Sequence, residues 1–309
     1  MTGGGGGTSR TYTAYRAAGG PLCGTDAASY NVFCEGGDSC TSAATNVCTS
    51  GGSTSYDGYR TAGGPLCGTD AASYNVFCEG GDVCTSAVIS RCAPGGTTYT
   101  GYRTGGGPLC GTDAASYNVF CRGGDNCTGA LSNTCAPGGT TYQAYRTGGG
   151  PLCGTDAASY NVFCRGGDAC SGALSNTCVP GGASYTAYRT AGGPICGLDA
   201  ASYNVFCRGG DNCSSATSSS CATGSANYTA YRTGGGPLCG MDSASYNVFC
   251  KGGDNCTAAT TSACSTGGAS YTAYRTAGGP LCGMDLGGYN VSCLPGSTCV
   301  NATTRSCQR

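Results

Sequence analysis

The 28 cysteines of this 309-residue chain fall into seven quartets with one spacing, C-x10-C-x5-C-x7-C. They are Cys23, Cys34, Cys40 and Cys48; Cys67, Cys78, Cys84 and Cys92; Cys110, Cys121, Cys127 and Cys135; Cys153, Cys164, Cys170 and Cys178; Cys196, Cys207, Cys213 and Cys221; Cys239, Cys250, Cys256 and Cys264; and Cys282, Cys293, Cys299 and Cys307. Successive quartets begin 44 residues apart once and 43 residues apart thereafter. The 21 tyrosines keep the same register, three to a unit, as in Tyr12, Tyr15 and Tyr30. Self-similarity at such a period is the mark of a repeat architecture. After a glycine-rich linker at 1–10, the units span 11–53, 54–96, 97–139, 140–182, 183–225, 226–268 and 269–309.

Four cysteines in fixed register predict two disulfides within each unit and an oxidising, extracellular setting. Spacing alone allows three pairings per unit. The interlocked one, first with third and second with fourth, is the expectation, because it pins a hairpin over the third and fourth cysteines to the segment before it. Zinc is the competing use of four thiolates, but structural zinc sites bring a C-x2-4-C knuckle, and here the shortest gap is five residues with no histidine in the chain. Two aspartates per unit also fall short of the oxygen cage that calcium takes. No metal and no cofactor are expected. Asp26, Asp70, Asp113, Asp156 and Asp285, in GTD or GMD, read instead as turn caps.

Composition follows the same recipe. Glycine fills 59 positions, tryptophan is absent and phenylalanine occurs six times, so no large apolar core is available. The fold class expected is therefore small, disulfide-rich, mainly β and irregular tandem repeats in an elongated array. A closed seven-bladed ring is the alternative, weakened by the shortage of large side chains to pack between blades. Within one unit, 11–16 reads as a short strand and Gly19-Gly20-Pro21 as an extended approach to the first cysteine. Gly24 to Ser29 reads as a turn that opens one helical turn capped by Asp26. Tyr30 to Cys34 is the most buried strand, and Cys40 to Cys48 a hairpin. Contacts between units are expected to complete the stability of pieces this small, with tyrosines as the packing.

Differences between units carry their own message. The residue after the second cysteine is Glu35 and Glu79, then Arg122, Arg165, Arg208 and Lys251, then Leu294. This reads as an edge that changes from acidic to basic. Unit seven departs furthest, with Leu286-Gly287-Gly288 for the usual Ala-Ala-Ser and Ser292 for phenylalanine. If the strand at 11–16 packs on the preceding unit, unit seven has a vacancy that a second molecule can fill by strand addition. Tyr12, Tyr15, Arg16 and Leu294 are then the candidate subunit junction.

Several function classes are excluded or disfavoured. A net charge of -1 is no nucleic-acid footprint, and no apolar run is long enough for membrane insertion. Met1-Thr2 leads into five glycines and not into a signal-peptide pattern. Without histidine the commonest general base is missing, so no catalytic residues are expected and the chain is not read as an enzyme. Two functions remain. One is an extracellular structural protein that is its own partner, a head-to-tail homopolymer forming a surface filament or matrix fibre. The other is a secreted adhesin that binds carbohydrate through repeated tyrosines, with glycans as partner. Asn126, Asn212, Asn227, Asn255, Asn290 and Asn301 head N-x-S/T sequons and are candidate glycosylation sites.

Overall fold

The computed structural model describes residues 10–50 and 55–309; the pentaglycine and the rest of 1–9 lie outside the described residues, as do linker positions 51–54. All regular structure among the described residues is strand, and no helix forms. The chain divides into two compact units. One comprises residues up to Thr147 with Thr155–Val162, the other Gly148–Gly154 with Phe163–Arg309.

Repeat 1 shows the plan. Its strands are β1 (Thr11–Thr13), β2 (Leu22–Thr25), β3 (Asn31–Phe33), β4 (Ser39–Ser42) and β5 (Val47–Thr49). β2 and β3 form an antiparallel hairpin, with Leu22 opposite Phe33. β4 and β5 form a second hairpin in which Cys40 faces Cys48, and a register shift after Cys40 bends it. β1 adds to the open side of β5, with Tyr12 opposite Cys48. A two-stranded and a three-stranded sheet therefore share each repeat, not the single four-stranded sheet of a propeller blade. The same pairings recur elsewhere, for example Ser184–Thr186 on Ser220–Ala222 in repeat 5 and Ser270–Thr272 on Ser306–Gln308 in repeat 7.

This pairing corrects one expectation. The strand at 11–16 belongs to its own repeat and not to the one before, so repeat 7 has no strand vacancy: Ser270–Thr272 fills it. The strand is also shorter than expected. It ends at Thr13, and Tyr15 then makes an isolated antiparallel bridge to Phe33 in the other sheet. The break turns Tyr12 and Tyr15, three residues apart, to the same side, with ring centroids 6.2 Å apart.

The first cysteine bonds the third and the second bonds the fourth: Cys23–Cys40 and Cys34–Cys48 in repeat 1, Cys282–Cys299 and Cys293–Cys307 in repeat 7. Each repeat thus carries two crossing links between its sheets. The core they enclose is minimal. In repeat 5 it consists of Tyr185, Ala187, Tyr188, Cys196, Val205, Cys207 and Cys221, so a single valine is the only large aliphatic side chain in it.

The Asp turn forms without the expected helical turn. Asp26 Oδ1 accepts from the N–H groups of Ala28 and Tyr30 at 2.9 and 3.0 Å, and Ser29 takes a left-handed φ of 63°. Those two bonds already satisfy the donors that would otherwise continue a helix. The glycine ahead of the turn is obligatory. Gly111 has φ 124°, and a Cβ there would lie 2.5 Å from the Ala130 carbonyl oxygen.

Replacing Cys207 and Cys221 together by serine is expected to cost about 2–5 kcal/mol, since a small domain loses about that much with a native disulfide. Limited proteolysis should then open new cleavage sites within 183–225. Unchanged denaturation and cleavage would show that apolar packing alone holds the repeat.

Candidate functional site

The three tyrosines of a repeat serve three different purposes. The first is an internal anchor. Tyr56 is 5% exposed; its hydroxyl donates to Asp82 Oδ2 at 2.5 Å and accepts from the Glu79 N–H at 2.8 Å. Tyr99, Tyr185 and Tyr228 repeat both bonds with Asp125, Asp211 and Asp254. Burial, reinforced by the hydrogen bond to Asp211, pushes the Tyr185 phenol up to about 12.

The second tyrosine packs between repeats. A Cβ on Gly36 of repeat 1 would sit 3.5 Å from the Tyr59 ring of repeat 2, and Tyr59 is 7% exposed. Tyr102 lies against Gly80 and Tyr145 against Gly123 in the same way. The glycine turn of one repeat thus lies in van der Waals contact with the ring of the next. Tyrosine packing between repeats, expected for all three rings, therefore holds for the second one.

The third tyrosine faces solvent. Tyr30, Tyr74, Tyr117, Tyr160, Tyr203, Tyr246 and Tyr289 are each 59–60% exposed. Behind each ring lies the arginine of the YxxYR segment, its guanidinium carbon 3.9–4.2 Å from the ring centroid. That arginine is held by the turn aspartate through Nε, as in Arg60 to Asp70 at 2.5 Å and Arg103 to Asp113 at 2.6 Å. Each platform is thus a tyrosine ring backed by a guanidinium that an aspartate fixes in place.

The same arginine reaches across the seam to the preceding repeat. Arg60 lies 5.3 Å from the centroid of Phe33, Arg103 5.5 Å from Phe77, Arg146 5.3 Å from Phe120, Arg189 5.5 Å from Phe163 and Arg275 5.9 Å from Phe249. The following threonine adds a hydrogen bond. Thr61 Oγ1 donates to the Gly19 carbonyl at 3.0 Å, and Thr233 Oγ1 to Gly192 at 3.2 Å. Sequence reasoning named only Arg16 of this set, as a junction candidate, and missed the role of its counterparts, although their fixed place after the second tyrosine of every unit was the available signal.

The expected acidic-to-basic edge lies in the seam. Arg122 lies over the Tyr99 ring at 4.7 Å and against Gly81 of the preceding repeat, where a Cβ would collide with it. Arg208 and Lys251 do the same over Tyr185 and Tyr228, at 4.4 and 5.1 Å. In repeat 7 the position is Leu294, and Arg309 supplies the cation instead, 4.8 Å from Tyr271 and against Gly253. The acidic residues make a different bond: Glu35 accepts from Tyr15 and Glu79 from Tyr59, at 2.6 and 2.5 Å.

The junction candidates do not form one cluster. Tyr12 donates to Asp38 at 2.7 Å and Arg16 to Asp26 at 2.6 Å, both inside repeat 1. Tyr15 is 41% exposed, far more than its counterparts in later repeats. Leu294 packs against the core of repeat 7. Among the glycosylation candidates, Asn227, Asn290 and Asn301 are exposed, while Asn126, Asn212 and Asn255 are half-buried. The sulfurs of Cys23, Cys34 and Cys48 lie within 4.8 Å of one another, but all are consumed in disulfides, leaving no thiolate to bind a metal. Comparison with protein-family models, curated proteins and solved structures finds no match.

Partial burial acts to raise the carboxyl pKa of Asp70, Asp113, Asp156, Asp199, Asp242 and Asp285. The arginine bond and two backbone N–H donors outweigh it, and all six stay below the ordinary aspartate value. A carboxylate whose pKa drops on folding contributes stability above its unfolded value of about 3.9, and the contribution is lost as pH falls through the folded value. Tyr185 runs the other way: raised on folding, it contributes below its unfolded value and ceases to as pH climbs through about 12. Thermal midpoints measured against pH are expected to fall on both limbs. Asp242→Asn should lower stability at neutral pH by about 1–2 kcal/mol and flatten the acid limb. An unaltered acid limb in that variant would mean that the Arg232 bond contributes nothing.

Proposed function

We propose that this chain is a secreted, multivalent binding protein that engages neutral glycans, one tyrosine platform to a repeat. The disulfide-rich build is consistent with an extracellular protein, and no helix long and apolar enough to cross a membrane is present among the described residues. The observation that carries the proposal is the uniform 59–60% exposure of the third tyrosine in all seven repeats, beside two others that are engaged in folding. An aromatic face is what the C–H side of a sugar ring stacks on. The guanidinium behind each ring is paired with an aspartate, so the platform offers no unpaired cation to an acidic polymer. Neutral sugars fit best. Binding of this kind needs no general base, and seven weak platforms on one chain gain by avidity what each lacks alone.

The head-to-tail filament expected from the sequence loses its main support with the strand vacancy filled. Two substitutions also weaken a seam between repeat 7 of one copy and repeat 1 of another. Ala17 stands where Thr61 and its counterparts donate across the seam, and Ser292 where Phe33 and its counterparts meet the next arginine.

Affinity electrophoresis or column retention on neutral polysaccharides tests the proposal, with light scattering to fix the mass. The protein is expected to be monomeric and retained. Tyr246→Ala alone should change retention little, whereas alanine at all seven platforms should weaken it by about 100-fold or more. Full retention by a folded seven-site variant would overturn the proposal, and a polymeric mass would return the filament to first place.

A further inference from the structure

Ser292 does two things at once. It removes the ring that the following arginine approaches at Phe33, Phe77, Phe120, Phe163 and Phe249, and it turns Asn290-Val291-Ser292 into a sequon, where the other repeats read Asn-Val-Phe. Alternation along the strand Asn290–Ser292 puts both polar residues on one face, with Val291 on the other and fully buried. That polar face matches the one bearing the seam phenylalanine elsewhere. Leu281, opposite Ser292 across the hairpin, is 61% exposed.

The other sequons divide by geometry. Asn126 Oδ1 accepts from the Gln143 N–H at 2.7 Å, and Asn255 Oδ1 from Thr272 Oγ1 at 3.0 Å, each bond crossing a seam. Asn212 is tied twice: Oδ1 accepts from Thr229 at 3.0 Å, and Nδ2, the atom that would carry a sugar, donates to the Asn227 carbonyl at 3.5 Å. In all three sequons the middle residue is a disulfide-bonded cysteine: Cys127, Cys213 or Cys256. Asn301, by contrast, lies exposed beside the hairpin turn of repeat 7, where its Oδ1 caps the Thr304 N–H at 3.0 Å.

We infer that Asn290, with Asn301, is an N-glycan acceptor, and that the sugar stands over the face of repeat 7 on which Ser292 takes the place of phenylalanine. The reaction is transfer from a lipid-linked oligosaccharide diphosphate. The Asn290 side-chain nitrogen forms a C–N bond to the anomeric carbon, the C–O bond to the lipid diphosphate breaks, and the amide proton passes to a base of the transferase. The three seam asparagines stay bare, because a glycan there would have to push neighbouring repeats apart.

The test is to secrete the full chain from a eukaryotic cell line and read each sequon by peptide mass spectrometry after enzymatic deglycosylation in heavy-oxygen water. Asn290 and Asn301 are expected to carry the label, and Asn126, Asn212 and Asn255 to lack it. Ser292→Thr should keep the Asn290 glycan and Ser292→Ala should lose it, with all 14 disulfides intact in both variants. A bare Asn290 in the secreted, fully oxidised protein overturns the inference. Equal labelling of the seam asparagines overturns it too. Neither result bears on the tyrosine platforms, which retention on polysaccharide reads separately.

Discussion

Two crossing disulfides hold each repeat, and the rest of the structure depends on them. A repeat with one buried valine cannot close on apolar burial, so Cys34–Cys48 and Cys23–Cys40 take the position of a core between two small sheets. The buried tyrosines then supply the bulk. Each needs a partner for its hydroxyl, and the first tyrosine finds both an acceptor in the GGD aspartate and a donor in the N–H after the second cysteine. Polar satisfaction and packing come from one side chain. That economy allows a protein with 59 glycines to be ordered at all.

The second layer of organisation is the arginine of the YxxYR segment. Its guanidinium bonds to an aspartate of its own turn, backs its own exposed tyrosine and approaches a phenylalanine of the repeat before. Charge-assisted bonds of this kind contribute about 1.5–3 kcal/mol, and cation–π contacts about 0.5–2 kcal/mol. The Nη2 atoms of Arg60, Arg103, Arg146, Arg189 and Arg275 have no hydrogen-bond partner, and aromatic rings lie on both sides of those guanidinium groups. One residue therefore fixes the platform and the seam together. Loosening a seam loosens the ring that faces solvent.

Much of this was legible in the sequence, and what was not has a common cause. The repeat period, the mainly β class, the Cys40 to Cys48 hairpin and the capping role of Asp26 all follow from local patterns. The partner of the strand at Thr11–Thr13 did not, because linker length permits pairing with either the preceding repeat or its own. Nor did the division among tyrosines. Tyr59 and its counterparts in later repeats are covered because a glycine turn of the preceding repeat lies against the ring, whereas Tyr15 stays largely exposed. Arg122 and Lys251 read as an outer edge for the same reason, since nothing near them in sequence says what lies opposite.

Every interior seam shares two contacts, a tyrosine ring against a glycine turn and a threonine hydroxyl bonded to a glycine carbonyl. Excising or duplicating one whole interior repeat would remove or add one seam and one outward ring, and would keep those two contacts in the seam that forms. Stability in such arrays is close to a sum of repeat and nearest-neighbour terms. Gene duplication can therefore adjust the number of seams and of outward rings in single steps. Copy number is, for this chain, an inheritable dial on how many outward rings one molecule carries.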